Sequence, residues 1–247
     1  MEKINILGIN INILSKKQTL GKIEEFLAGE KQHQLITVNP EMILEAVSHD
    51  EEFFYILNKA DLSLPDGMGL KMAGWFMGVN LTRVTGADLV KDILDLAQKQ
   101  GRRISVFNWR HGLSSDDEIQ QALTNKYLGL KILVISVDRQ AVIPSDQLKR
   151  VQEFQPEIIF STLGAPYQEK FIFHNLVKLP SAKLGLGVGG AFDFLTGKIK
   201  RAPRAMRRLG LEWLWRLIKQ PRRWRRIYNA VIVFPLKFLI WRFKRKI

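Results

Sequence analysis

The sequence contains no cysteine, which excludes disulfide bonds and metal sites built from thiolates. Its four histidines show no metal-ligand spacing, and neither an HExxH nor a DxD motif is present. We therefore predict that the protein holds no metal.

Long apolar runs are missing as well. The apolar run 230–236 is far short of the ~20 residues that a membrane-spanning helix needs. The first ten residues have neither the basic region nor the apolar region of a signal peptide. We therefore expect a protein that stays on the cytosolic side of the membrane and does not cross it.

Acidic residues are almost absent from the C-terminal segment. Residues 198–247 contain 17 Lys and Arg but one acid, Glu212, and the net charge of this segment is +16, whereas residues 1–197 carry −2. Such a split is typical of a protein that meets an anionic surface through one end, and both membrane and nucleic acid qualify. Aromatic and aliphatic residues recur at helical spacing between the basic ones, which favours an amphipathic membrane-surface helix over nucleic-acid binding.

Short apolar runs alternate with helical patterns along the rest of the chain. We predict strands at residues 4–14, 35–38, 62–64, 104–107, 132–136, 158–162 and 184–188. Ser15 and Ser145 are predicted helix caps, and Pro40 fits the first turn of a helix. The alternation predicts an α/β, Rossmann-like fold with a mostly parallel sheet flanked by helices. We predict a catalytic domain over 1–197 and a basic, amphipathic helical appendage over 198–247, broken by Pro221.

Polar residues follow several of these strands, at the sheet edge where α/β proteins bind ligands. Asp66 stands between Pro65 and Gly67, where a carboxylate is held at a pocket edge or simply forms a turn. Thr37 and Asn39 either face the same pocket or cap the helix that starts at Pro40. The spacing alone does not separate these alternatives.

A glycine motif, GxGxxG, follows the last predicted strand and includes Gly187, Gly189 and Gly190. No acid follows about twenty residues later, so a nicotinamide or flavin site is not expected, and we predict no cofactor. The glycines either let backbone N–H groups approach a phosphate or permit tight packing. Arg83 likewise binds either a phosphate or a nearby carboxylate.

Several motifs taken together resemble the WecG/TagA/CpsF family of bacterial glycosyltransferases. They occur in order at 37–40 (TVNP), 64–69 (LPDGMG), 83–86 (RVTG), 163–169 (LGAPYQE), 187–197 (GVGGAFDFLTG), 201–203 (RAP) and 207–216 (RRLGLEWLWR). The resemblance implies an inverting, metal-independent transfer of N-acetylmannosamine or a related sugar. The donor is a UDP-sugar and the acceptor is linked to undecaprenyl diphosphate, in teichoic-acid or other cell-surface polysaccharide biosynthesis.

The resemblance also implies roles for individual residues. Asp66 is the expected catalytic base, and Thr37 is expected near the reacting centre. The expected substrate-binding residues are Asn39, Arg83, Gln168, the three motif glycines and three appendage arginines, Arg216, Arg223 and Arg226. Two departures from the family, the bulky stretch 107–112 and Tyr167, put the identity of the donor in question.

The sequence leaves two further points open. A catalytically idle module that binds nucleotide-sugar or polyprenyl phosphate is the alternative to an enzyme, although Asp66, Thr37 and Gln168 are all present. Homo-oligomerisation is also undecided. The resemblance and the basic appendage place the protein at the cytoplasmic face of the bacterial membrane as a peripheral protein that does not bind nucleic acid.

Overall fold

The structure is a computed structural model that describes residues 1–139 and 142–244. Its centre is a sheet of six parallel strands in the order β4-β3-β8-β7-β5-β6. The strands are β1 (Lys3–Ile6), β2 (Ile9–Asn12), β3 (His33–Val38), β4 (Leu62–Pro65), β5 (Arg103–Trp109), β6 (Lys131–Val137), β7 (Ile158–Ser161) and β8 (Leu184–Gly187). The predicted α/β fold with a parallel sheet flanked by helices is confirmed.

Helices connect the strands and then continue into the C-terminal segment. Those of the body are α1 (Lys16–Ala28), α2 (Pro40–His49), α3 (Glu51–Lys59), α4 (Met68–Phe76), α5 (Gly86–Gln100), α6 (Asp116–Lys126), α7 (Ser145–Phe154), α8 (Tyr167–Asn175) and α9 (Ala191–Leu195). Those of the C-terminal segment are α10 (Arg204–Arg208), α11 (Glu212–Lys219), α12 (Trp224–Tyr228) and α13 (Phe234–Lys244), with a 3-10 turn at Pro221–Arg223 and a π-helical turn at Asn229–Val233.

Helices cover both faces of the sheet, and neighbouring residues of a strand point to opposite faces. On β3, Leu35 joins the core cluster under α1 and α5, whereas Ile36 joins the cluster under α2, α3 and α4. The buried face of α13 completes that second cluster through Phe234 and Phe238. The C-terminal segment is therefore packed on the body through apolar contacts as well as charged ones.

The prediction of one strand over 4–14 is wrong. The chain reverses at Leu7 and Gly8, whose φ angles are 52° and 91°, and β1 and β2 form a separate antiparallel hairpin. Two consecutive residues with positive φ give the tight turn that joins twisted antiparallel strands. The side chain of Asn5 stabilises the turn by accepting a hydrogen bond from the Gly8 N–H at 3.0 Å.

The predicted helix starts had mixed outcomes. Ser15 caps α1 in a capping box, and Pro40 occupies the first turn of α2, as predicted. Ser145 is not a cap, because the helix starts on it and the capping position is Pro144, which has no side-chain donor or acceptor. The break at Pro221 is present between α11 and α12. Among residues 1–139 and 142–244, no helix is both long and apolar enough to span a bilayer. The division into domains at residue 197 stays a prediction.

Candidate active site

A cavity of about 370 Å³ lies across the carboxyl ends of the parallel strands and is closed on one side by the C-terminal segment. Parallel strands all end at one edge, so loops from distant parts of the chain meet there. Asp66 enters from the end of β4, Thr37 and Asn39 from β3, and Trp109 from β5. The cavity therefore runs along the sheet edge from β4 towards β6.

Asp66 is held in a rigid turn at one end of the cavity. Its backbone N–H donates to the carbonyl of Val38 at 2.7 Å, and Gly67 has a φ of 95°, which a residue with a side chain rarely adopts. Burial raises the pKa of the Asp66 carboxyl to about 6, although Arg216 and Arg83 act in the opposite direction. A carboxylate with a raised pKa and a fixed position is suited to accept a proton near neutral pH.

Thr37 and Asn39 lie beside Asp66 at the end of β3. Asn39 caps α2, because its Oδ1 accepts a hydrogen bond from the Met42 N–H at 3.0 Å. Asn39 also lines the cavity, and its side-chain amide nitrogen makes no hydrogen bond with the described residues. A Cβ atom at Gly86 would come within 3.3 Å of Thr37 Oγ1, so the glycine gives this hydroxyl room. Asn39 thus caps α2 and is also part of the cavity wall.

Gln168 joins two of the loops that line the middle of the cavity. Its Oε1 accepts hydrogen bonds from the Gly164 N–H at 3.1 Å and the Gly189 N–H at 2.9 Å. Its Nε2 donates to Glu169 Oε1 at 2.6 Å, and burial raises the pKa of Glu169 to about 8. A Cβ atom on Gly187 would overlap the Gln168 side chain. Gly187 is therefore explained by tight packing, the second of the two alternatives for the motif glycines.

The other two motif glycines lie where the chain turns from β8 into α9, and both line the cavity. Gly189 has a φ of 50°, in the left-handed region. At Gly190 a Cβ atom would come 2.8 Å from Asp193 Oδ2, so the glycine gives this carboxylate space. Small residues at both positions leave the backbone accessible from the cavity.

Three arginines of the C-terminal segment line the same cavity. Arg216 pairs with Glu212 at 3.4 Å, and Arg226 pairs with Glu41 of α2 at 2.6 Å. Arg223 forms no salt bridge with the described residues, and its pKa is lowered by burial and by the charges of Arg226 and Arg216. Three guanidinium groups that repel one another at a partly buried wall form a site suited to a multiply charged anion.

Arg83 does not line the cavity, unlike the other predicted site residues. Its guanidinium donates to Glu212 Oε2 at 3.1 Å, and both side chains are largely buried. Glu212 itself borders the cavity and also pairs with Arg216. Arg83 therefore contacts a carboxylate, the alternative to phosphate binding, and positions α11 of the C-terminal segment.

Sequence reasoning missed a second ion-pair group that holds the C-terminal segment near the site. Arg201 donates to Asp88 at 2.6 Å and to Thr85 Oγ1 at 3.1 Å. Burial alone raises the pKa of Asp88, but the hydrogen bonds from Arg201 and Thr85 outweigh it and lower the pKa to about 2. The signal in the sequence was a capping motif, Thr85 followed by Asp88, which gave no indication of its distant partner.

Arg139 and Trp109 form the end of the cavity near β5 and β6, a contact that the sequence did not predict. The guanidinium carbon of Arg139 lies 3.7 Å from the centre of the Trp109 ring, and its Nε donates to the carbonyl of Leu163 at 2.8 Å. The centre of the Tyr167 ring lies 5.2 Å from the same guanidinium carbon. Of the two departures noted in the sequence, the stretch 107–112 thus lines this end of the cavity through Trp109, and Tyr167 lies beside it, near Arg139. Such a surface is suited to stack a planar ring.

No group of three or more acidic or histidine side chains within residues 1–139 and 142–244 is arranged to hold a metal ion. The site combines Asp66, a carboxylate of raised pKa, with an arginine cluster and an aromatic end. These are the parts expected of a transferase that acts on phosphate-linked substrates.

Comparison with known proteins agrees with this class. Residues 4–247 match the Glycosyl transferase WecG/TagA/CpsF family, and the chain belongs to it. It is therefore an enzyme, a glycosyltransferase, as the motifs predicted.

Two named relatives indicate which kind of glycosyltransferase this chain is similar to. A protein of Bacillus subtilis (strain 168) is 34% identical over 231 residues, which cover 91% of this chain and 86% of the relative. A protein of Staphylococcus aureus (strain MRSA252) is 27% identical over 252 residues, which cover 99% and 94%. Both are named N-acetylglucosaminyldiphosphoundecaprenol N-acetyl-beta-D-mannosaminyltransferase, and this chain is similar to them over nearly its whole length.

Proposed function

We propose that the protein transfers N-acetylmannosamine or a related sugar from UDP to an acceptor sugar on undecaprenyl diphosphate, with inversion and without a metal. The acceptor and the transferred group follow the names of the relatives. The observation that carries the proposal is the position of Asp66, a carboxylate of raised pKa in the same cavity as three arginines.

Asp66 is the base of the proposed reaction. It accepts the proton of the acceptor hydroxyl while the hydroxyl oxygen attacks the anomeric carbon of the donor and the bond from that carbon to the UDP oxygen breaks. With a pKa of about 6 the carboxylate is more basic than an ordinary aspartate and is still largely deprotonated at neutral pH. Thr37 and Asn39 border the reacting position and supply a hydroxyl and an amide to orient the sugars.

The arginine cluster stabilises diphosphate charge. When the anomeric bond breaks, negative charge develops on UDP, and the acceptor carries a diphosphate of its own. Arg223 forms no salt bridge with a described residue, and it is the member of the cluster best placed to bind phosphate oxygens. This assignment needs no divalent ion, because the guanidinium groups supply the positive charge.

Gln168 and Arg83 have positioning roles in this proposal. Gln168 fixes the loop after β7 against the loop after β8, and Arg83 fixes Glu212 and thereby α11. The aromatic end at Trp109 and Arg139 is assigned to the uracil ring of the donor, because a planar base stacks on such a surface.

A lipid-linked acceptor requires the enzyme to work at a membrane, which we propose is its cytoplasmic face, and the basic C-terminal segment provides the attraction. The alternative of an idle binding module is not favoured, because the relatives are named as transferases and the proposed base is present.

The test is a transfer assay with purified protein, a panel of UDP-sugars and a polyprenyl-diphosphate N-acetylglucosamine analogue. UDP release, product mass and the anomeric configuration by NMR are measured. Release of UDP that depends on the acceptor, with a β-linked product from an α-linked donor, supports the proposal. Tight donor binding with no product from any donor of the panel favours the idle module.

A further inference from the structure

Helix α4, in the body of the enzyme, exposes an apolar face. Leu70, Ala73 and Gly74 are buried against the core. On the opposite side Trp75 is 72% exposed, and its ring lies edge-on to the exposed ring of Phe76 at 5.2 Å. Large aromatic side chains placed together in water are costly unless something covers them.

Helix α13 has two apolar stripes, of which one is exposed. Phe234 and Phe238 are buried in the core cluster under α2, α3 and α4. The opposite stripe, Leu236, Ile240 and Phe243, is exposed, with Phe243 at 65%. The spacing of four and three residues places these side chains along one side of the helix. A helix that is apolar on both sides has a second surface to cover.

The two helices pack against each other. Both helices rest their buried sides on the same core cluster, and Phe234 of α13 lies against Gly69 of α4, where a Cβ atom would be 3.4 Å from its ring. Their other sides therefore point away from that cluster. We call the exposed sides of these two helices together the α4–α13 face, and it consists of Met72, Trp75, Phe76, Leu236, Ile240 and Phe243.

Charge identifies what covers the face. The helices contribute Lys71, Lys237, Arg242 and Lys244, and neither helix contains an acidic residue over its described length. A second copy docked through a two-fold axis would place these like charges against each other. An anionic bilayer surface instead takes up the apolar side chains and attracts the basic ones.

We propose that the α4–α13 face inserts into the surface of an anionic bilayer, so that the catalytic body itself, through α4, contacts the membrane together with the C-terminal helix. Trp75 and Phe76 are the deepest side chains contributed by the body. Met72 lies one turn closer to the start of α4 and completes that part of the face.

This contact also sets the height of the active site, a step that rests on the proposed function. Asp66 lies two residues before α4, and a nine-residue helix rises about 12 Å. With Trp75 and Phe76 in the bilayer surface, α4 keeps the proposed base within about this distance of the headgroups. A sugar attached to a membrane-embedded polyprenyl diphosphate lies at that level.

The absence of cysteine makes a direct test simple, because one introduced cysteine is the only labelling site. An environment-sensitive dye is attached to Trp75→Cys, to Ile240→Cys and, as an exposed control far from the face, to Leu128→Cys. With phosphatidylglycerol vesicles we expect a blue shift at positions 75 and 240 and none at 128. A shift at 240 alone would overturn insertion of α4. A shift at 75 that appears without vesicles as protein concentration rises would assign the face to a second copy.

Two unlabelled double variants measure how much the exposed aromatic side chains of α4 contribute to vesicle binding. Trp75→Ser with Phe76→Ser is expected to weaken binding to phosphatidylglycerol vesicles by at least about tenfold. Leu128→Ser with Val177→Ser, equally exposed elsewhere, is expected to leave it unchanged. UDP release with a water-soluble acceptor analogue is measured in parallel. Unchanged vesicle binding by the first variant overturns the proposal. If the unmodified protein transfers no sugar but the dye at position 75 still shifts with vesicles, the proposed function is refuted and the membrane contact of the α4–α13 face is still supported.

Discussion

Replacing Asp66 by asparagine tests the assignment of the base, because the amide keeps the shape of the carboxylate and cannot accept the proton. Loss of a general base costs about 10² to 10⁴ in rate, and we expect turnover to fall by at least 10²-fold while donor binding survives. The assay is UDP release with a soluble acceptor analogue, beside donor binding by calorimetry. Asp117→Asn, which changes an exposed carboxylate of α6, is the matched control and keeps normal turnover.

The raised pKa adds a pH dependence with a definite sign. Burial raises the pKa of Asp66 to about 6, and the base works only when deprotonated, so kcat/KM rises with pH through about 6 and then levels off. At pH 5 the rate is about one tenth of the plateau. The residual activity of Asp66→Asn lacks this acidic limb.

Stability separates a catalytic loss from unfolding. A pKa raised from 3.8 to about 6 corresponds to about 3 kcal/mol against the ionised carboxylate in the folded protein. This penalty is absent below the unfolded pKa and complete above pH 6, and asparagine does not suffer it. The variant is therefore expected to melt at the same or a higher temperature at pH 7. Near-normal turnover, or an unchanged acidic limb, would show that Asp66 is not the base.

Three further expectations follow from the site. Arg223→Ala is expected to reduce kcat/KM by about 10- to 100-fold, because a charged hydrogen bond to phosphate is lost; exposed Arg222→Ala is the control, and equal effects of the two would refute a specific phosphate contact. Gly187→Ala is expected to lower the free energy of unfolding by about 1–3 kcal/mol, because the new Cβ atom overlaps the Gln168 side chain. Gly21→Ala in α1 is the control, because its Cβ atom meets open space, and it is expected to be neutral or stabilising in the same denaturant titration. Transfer activity is expected to persist in excess EDTA; strict recovery on adding Mg²⁺ or Mn²⁺ would contradict the metal-independent reaction.

Arg83 shows how the C-terminal segment takes part in the site without a direct substrate contact. Its partner Glu212 is the one acid among 17 basic residues of the segment, and the pair connects the body to α11. Arg201 with Asp88, and Arg226 with Glu41, add two further links. The segment is thus both a wall of the cavity and part of the surface proposed to meet the membrane.

The sequence by itself determined the elements whose causes are local. Ser15 and Pro40 marked helix starts because capping and fixed φ act within one turn. The apolar runs marked the parallel strands because most of these strands are buried on both faces, as β4, β7 and β8 are. The hairpin at Leu7 and Gly8 was missed because two isoleucine-rich strands read as one continuous run. Ser145 was misplaced because a cap depends on one residue's backbone angles, and the hydrophobic pattern does not fix them.

Only the tertiary structure decided which polar residues face one another. Arg83 and Glu212 are 129 positions apart, and no local pattern relates them. Gln168 was predicted to bind substrate, and only the fold shows that its Oε1 also accepts hydrogen bonds from the N–H groups of two separate loops. Arg139 and Trp109 meet because β5 and β6 are neighbours in the sheet. The physical reason is that caps, turns and burial patterns are encoded by near neighbours, whereas ion pairs and cavity walls depend on chain crossings that bring distant segments to one edge of the sheet.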